Sequence, residues 1–190
     1  MSEPPEKPRK LRADSQRNRE QLLAAAKAAF AASGAEMPLE DIARAAGVGI
    51  GTLYRHFPSR EALLAAVYRR EVEQLAASAE SLLAQRPAGE ALEAWLHLLV
   101  DYMATKRVIA PALQASAGEG AEAYASGGAV VTEAMNRLLE AAIDARAVRA
   151  DIGSQDLYRA VIGMSFGYDQ PDWEASARRL ISVLMAGLRS

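Results

Sequence analysis

The larger apolar side chains of this chain return every three or four positions, and no segment alternates apolar and polar residues in the manner of a strand. That period lays them along one face of a helix, so the pattern predicts an all-α protein of about nine helices. Leu22, Leu23, Ala26 and Phe30 form the first stripe, between Ser15 and the stop at Gly34. Pro38 suits a helix start, and Leu39, Ile42, Ala43 and Ala46 carry a two-turn helix to Gly47. Leu53 and Phe57 mark a third short helix that Pro58 ends. Ser59 can cap a fourth, of roughly 25 residues and nearly 40 Å, which runs to Pro87. Its length suits a link between two units.

Further on, Leu92, Trp95, Leu96, Leu99 and Met103 predict a helix over 91–107. Pro111, Gly118, Gly120, Gly127 and Gly128 then predict an irregular stretch with a short helix and a loop. Val131, Met135, Leu138, Leu139 and Ala142 restore the period, and a turn over 146–153 closes that helix. Two final helices follow. Ser154 is placed to cap one bearing Leu157, Val161, Met164 and Tyr168, and Pro171 to open one bearing Ala177, Leu180, Ile181, Leu184 and Leu188.

Composition narrows the class. The 190 residues include 41 alanines, which favour helix but bury little surface, so the 51% apolar content holds a lean core. Without cysteine there is no disulfide framework or thiolate chemistry, which fits the cytoplasm. No apolar run approaches the ~18 residues of a membrane span. The net charge of −2 hides an asymmetry: residues 1–70 hold 12 basic and 8 acidic side chains, a net +4, and residues 71–190 hold 10 and 16, a net −6. A basic head for a polyanion on an acidic helical body would have this distribution. Residues 1–14, with Pro4, Pro5, Pro8, Arg9, Lys10 and Arg12, read as a disordered basic arm. The head then spans 15–60 and the body 61–190.

Ala43, Gly47 and Leu53 have the spacing of a helix-turn-helix, in which a small residue lets two helices cross, glycine makes the turn and an apolar residue locks the second helix. Around them the run from Leu39 to Leu63, above all Gly51-Thr-Leu-Tyr-Arg-His-Phe-Pro-Ser-Arg60, resembles the DNA-binding head of TetR/AcrR-family transcriptional regulators. The resemblance implies that Thr52 and Arg55 face base edges, with arginine able to read guanine bidentately. It also implies that Gly51 lets the backbone approach the duplex and that Tyr54, His56 and Arg60 reach phosphates. Arg44 and the arm residues Arg9, Lys10 and Arg12 are candidate nonspecific anchors, Arg44 being equally suited to pairing with Glu40. Ile50 stands where the family often has lysine, so contact there would be apolar.

In the body, Trp95, Tyr102, Met103, Tyr124, Met135 and Phe166 are candidates to line a small-molecule pocket, or else belong to an ordinary bundle core. Gly163 and Gly167, with Leu180, Leu184 and Leu188, are candidates for a homodimer interface, since the family pairs its last two helices and two-fold operators need two heads. The function expected is that of a ligand-responsive regulator, a repressor released from a double-stranded DNA operator by a small-molecule effector. A DNA-binding activator or ligand-independent regulator is the alternative. An enzyme has less support: there is no phosphate-cradling loop, no nucleophilic triad order and no Glu-x-x-His pair, and His97 with Asp101 is too sparse for a metal site. No cofactor, metal or membrane partner is expected.

Overall fold

The computed structural model describes residues 7–165, 170 and 172–189, and they form eight helices: α1 (Lys7–Ser33), α2 (Leu39–Ala45), α3 (Ile50–His56), α4 (Arg60–Gln85), α5 (Ala88–Ala115), α6 (Glu119–Asp144), α7 (Ser154–Met164) and α8 (Trp173–Leu188). No strand occurs among the described residues. α1 begins at Lys7, not Ser15, with Pro8 in its first turn, where the missing N–H costs nothing.

The largest departure from the sequence reading lies between residues 107 and 131. The expected irregular stretch with its short helix is absent. α5 continues through Pro111 to Ala115, α6 starts at Glu119 and runs through Gly127 and Gly128, and only residues 116–118 connect them. Hence there are eight helices where about nine were expected. Gly127 is a close-approach residue, not a breaker: a Cβ there would sit 2.6 Å from the Tyr68 hydroxyl and 2.8 Å from its ring. Tyr68 is buried, so the ring cannot simply swing away. Gly128, with nothing within 4 Å of its own Cβ position, is the internal control. Gly128→Ala should gain up to about 1 kcal/mol from helix propensity. Gly127→Ala should fall below it by about 1–3 kcal/mol through overpacking, as paired urea titrations would show.

The chain divides into two units. The first comprises residues 1–67 and 108–121, the second residues 68–107 and 122–190, so α4, α5 and α6 each contribute to both. In the first unit α1 packs on α2 and α3, and Leu22, Leu23, Phe30, Ile42, Leu53 and Leu63 are fully buried. In the second, α7 packs on α8, and Trp95, Leu96, Leu99, Met135, Leu157 and Ile181 form the dry interior. The Trp95 indole N–H donates to the Leu75 carbonyl at 2.9 Å, which satisfies the one polar atom that this large side chain brings inside.

Caps explain several boundaries. The Ser59 hydroxyl accepts from the Ala62 N–H at 3.1 Å, as its sequence position suggested for α4. At α7 the cap is Gly153 instead of Ser154, with the Asp156 carboxylate accepting from the Gly153 N–H. Pro171 lies outside the described residues, and α8 starts at Trp173.

Candidate functional site

The head presents α3 because the turn before it is fixed. Gly47 holds φ +68°, a conformation that side-chain-bearing residues seldom adopt. The N–H of Val48 donates back to the Ala43 carbonyl at 3.0 Å and closes α2. Gly49 then caps α3, its carbonyl accepting from Thr52 and Leu53. Leu53 is buried completely and Phe57 nearly so, and the Arg19 guanidinium lies 5.4 Å from the Phe57 ring centroid. Those anchors turn the opposite face of α3 outward.

On that face Ile50, Gly51, Tyr54 and Arg55 are exposed, and Thr52 and His56 are half-buried. Tyr54 is 46% exposed, too much for a packing role alone. Nothing lies within 4 Å of a Cβ position at Gly51, so the backbone there is open to a close-lying partner. Arg55 folds back on its own helix: Nε donates to the Gly51 carbonyl at 3.2 Å and an Nη to the Thr52 hydroxyl at 3.1 Å. These two side chains form one hydrogen-bonded unit at the surface.

Two other expected contacts are placed differently. Arg44 is exposed and pairs at 2.5 Å with Asp41, not with Glu40. Arg60 is half-buried, and one Nη donates to the carbonyls of Ala35 at 2.9 Å and Met37 at 2.6 Å. It therefore fastens the start of α4 to the α1–α2 connection, a role that no sequence spacing signals. The side chains of Arg9, Lys10 and Arg12 lie outside the described residues.

In the second unit the candidate pocket residues separate into two groups. Trp95 and Met135 have no exposure, and Met103 is buried. Tyr102, also buried, and half-buried Tyr124 flank Tyr68, with ring centroids 6.2 and 5.8 Å from its own. The Tyr68 and Tyr102 hydroxyls are 3.0 Å apart and hydrogen-bonded. Burial pushes both phenols above their ordinary titration range. Over these rings lies a residue that sequence reading missed: the Lys106 ammonium is 5.2 Å from the Tyr124 centroid and 5.8 Å from that of Tyr102. Burial holds its pKa below the usual lysine value. Phe166 lies outside the described residues.

Two surface grooves of about 510 and 320 Å³ also mark this unit, and none of the expected pocket residues lines either. The larger includes Arg86, Glu90, Glu93 and His97. Asp101, one turn on from His97, is engaged elsewhere. That carboxylate pairs with Arg178, which also donates to the His97 carbonyl, and the His97 Nδ1 is buried without a partner among the described residues. No cluster of three or more metal-ligating side chains occurs among the described residues, and no helix among them is long and apolar enough to cross a membrane.

Of the interface candidates on α8, Leu188 is placed inward. Leu188 and Met185 are only 2% exposed within the single chain and Ile181 is fully buried, because this side of α8 faces the chain's own core. The outward stripe is Leu180, Val183, Leu184 and Gly187, spaced i, i+3, i+4 and i+7, with Val183 68% exposed. On α7, Gly163 is exposed with open space at its Cβ position, and Gly167 lies outside the described residues.

Comparison with known proteins bears on this arrangement. The model described as bacterial regulatory proteins, tetR family, matches residues 22–67, and that described as transcriptional regulator SbtR-like, C-terminal domain, matches residues 87–190. The TetR transcriptional regulator SCO0520 from Streptomyces coelicolor is 43% identical, with 90% of this chain and 98% of that one covered and a TM-score of 0.82. The TetR transcription regulatory protein from Mycobacterium vanbaalenii is 34% identical over 95% and 99% of the two chains, with a TM-score of 0.78. An HTH-type transcriptional regulator of Staphylococcus aureus, SAR0097, is 45% identical over 47 residues, a quarter of the length of each protein.

Proposed function

This chain belongs to the TetR family and is a DNA-binding transcriptional regulator, not an enzyme; from that premise we propose that it is a cytoplasmic, homodimeric repressor released from its operator by a small-molecule effector. The observation that carries the DNA-reading part is the outward face of α3, where Thr52 and Arg55 sit as a bonded pair beside exposed Tyr54 and Ile50. A seven-residue helix of this kind enters a major groove about 12 Å wide. There the Arg55 guanidinium can exchange its bond to Thr52 for the O6 and N7 of guanine, while Tyr54 and His56 reach phosphates. Ile50 supplies an apolar contact such as a thymine methyl accepts.

One such helix makes a small interface, and the exposed stripe on α8 supports pairing through this helix. Glutamate in place of Val183 would bury a charge without a partner in a helix–helix seam. We expect Val183→Glu to sediment as a folded monomer at concentrations where the parent protein is dimeric, with unchanged helical content. A dimeric Val183→Glu protein would remove α8 from the interface.

Effector control rests on α4, whose residues belong to both units. Binding near Tyr102 and Tyr124 would favour one tilt of this helix, and hence one separation of the two recognition helices. Footprinting tests the whole reading: the protein should protect two half-sites about one helical turn apart, or a multiple of this, and lose them on adding effector. Protection of a single half-site, or none, would contradict it.

A further inference from the structure

Lysine is rare in this chain. It occurs at positions 7, 10, 27 and 106, and every other basic side chain from residue 28 onward is arginine, apart from the two histidines. The single lysine of the second unit is also its oddest cation. Arg137, Arg149, Arg159, Arg178, Arg179 and Arg189 all have carboxylate partners. Lys106, by contrast, is half-buried and makes only its two ring contacts among the described residues. A partly desolvated ammonium with no counter-ion is costly to maintain, and ring faces return only part of that cost.

We propose that Lys106 is the docking point for the carboxylate of a monoanionic small molecule, whose apolar body lies along the half-buried Tyr124 ring. This rests on the effector-responsive reading above and specifies the chemistry of the ligand. Three features favour a carboxylate. One unpaired cation neutralises one charge, and a phosphate dianion would keep an uncompensated charge against buried aromatic surface. The Tyr68 and Tyr102 hydroxyls carry two hydrogens and use one in their mutual bond, so the pair can still donate. Tyr124 is itself only half-buried, which leaves an open edge beside the ammonium. Tyr158 lies near enough to Tyr68 and Tyr102 to add to the cost of ionising either, and it completes the phenol cluster. Gly127 lets Tyr68 lie flush against α6 within it.

The scarcity of lysine makes the test direct. Full-length protein is reductively methylated with labelled formaldehyde, and the Lys106 dimethyl signal is identified by its loss in Lys106→Arg. Phenylacetate, phenylbutyrate, hexanoate and decanoate are titrated in, each against its carboxamide. At least one carboxylate should displace the Lys106 signal and raise its titration midpoint, since an adjacent anion favours the charged amine, while its amide does neither. Lys106→Met should weaken binding of that carboxylate by about 10-fold or more, and Lys106→Arg, which keeps the charge, by less. If Lys106→Met fails to fold, the displacement in the parent protein decides. A Lys106 signal unmoved by every carboxylate, or moved equally by the amides, overturns the proposal.

Operator affinity measured with and without the same compounds separates the two readings. Carboxylate binding at Lys106 with operator affinity unchanged would uphold the site and overturn effector control. Operator release by the amide, with Lys106 silent, would uphold control and overturn the site.

Discussion

Arg55→Ala should weaken operator binding by about 2–6 kcal/mol, because a bidentate arginine–guanine contact contributes about 1–3 kcal/mol of discrimination and both heads of the proposed dimer would carry the change. The loss should be confined to specific DNA. Binding to scrambled duplex rests on phosphate contacts and falls far less. Thermal stability should hardly move, since Arg55 is exposed and its partners lie on its own helix. Thr52→Val is a finer probe: it removes the hydroxyl that holds Arg55 in the free protein, and it leaves the α3 core face at Leu53 intact. Arg44→Ala provides contrast. Its guanidinium is paired with Asp41 and exposed, so any loss should be similar on all sequences and reduce the salt dependence. Competition anisotropy on operator and scrambled duplexes distinguishes these patterns.

Trp95→Ala lowers the stability of the chain by about 3–5 kcal/mol, enough to unfold a marginally stable domain. Two losses combine here. Removing a completely buried indole leaves a cavity, and the Leu75 carbonyl loses the donor that satisfied it. Trp95→Phe refills much of the volume but not the hydrogen bond, so it should cost less than Trp95→Ala. Urea melts followed by circular dichroism would rank the three proteins. If Trp95→Ala were tolerated with binding of an apolar probe in its place, Trp95 would line a ligand cavity instead of sealing the core.

The head was legible because its information is local. A glycine at positive φ, a small residue at the crossing and an apolar lock lie within eleven positions, Ala43 to Leu53, and each acts on its neighbours in sequence. Long-range packing was not legible. Gly127 resembles a helix breaker until Tyr68, 59 positions earlier, is seen against it. Arg60 matches a phosphate contact by motif, yet it bonds carbonyls 23 and 25 residues back. On α8 both faces carry leucine, isoleucine, valine or methionine, so period alone could not decide that Leu188 turns inward and Val183 outward. Lys106 gave no periodic or motif signal. Its rarity in the composition was the available clue, and it acquires meaning only through the rings of Tyr102 and Tyr124.

The proposed function requires that α3 read a specific DNA sequence. It is tested most directly by selecting sheared genomic DNA on the purified protein and measuring anisotropy of the best-retained fragment against its scrambled counterpart over a salt series. Nonspecific affinity falls steeply with salt. A gap of about 10³-fold or more that persists near physiological salt is expected. Equal, salt-sensitive binding to every fragment and its scrambled form would contradict it.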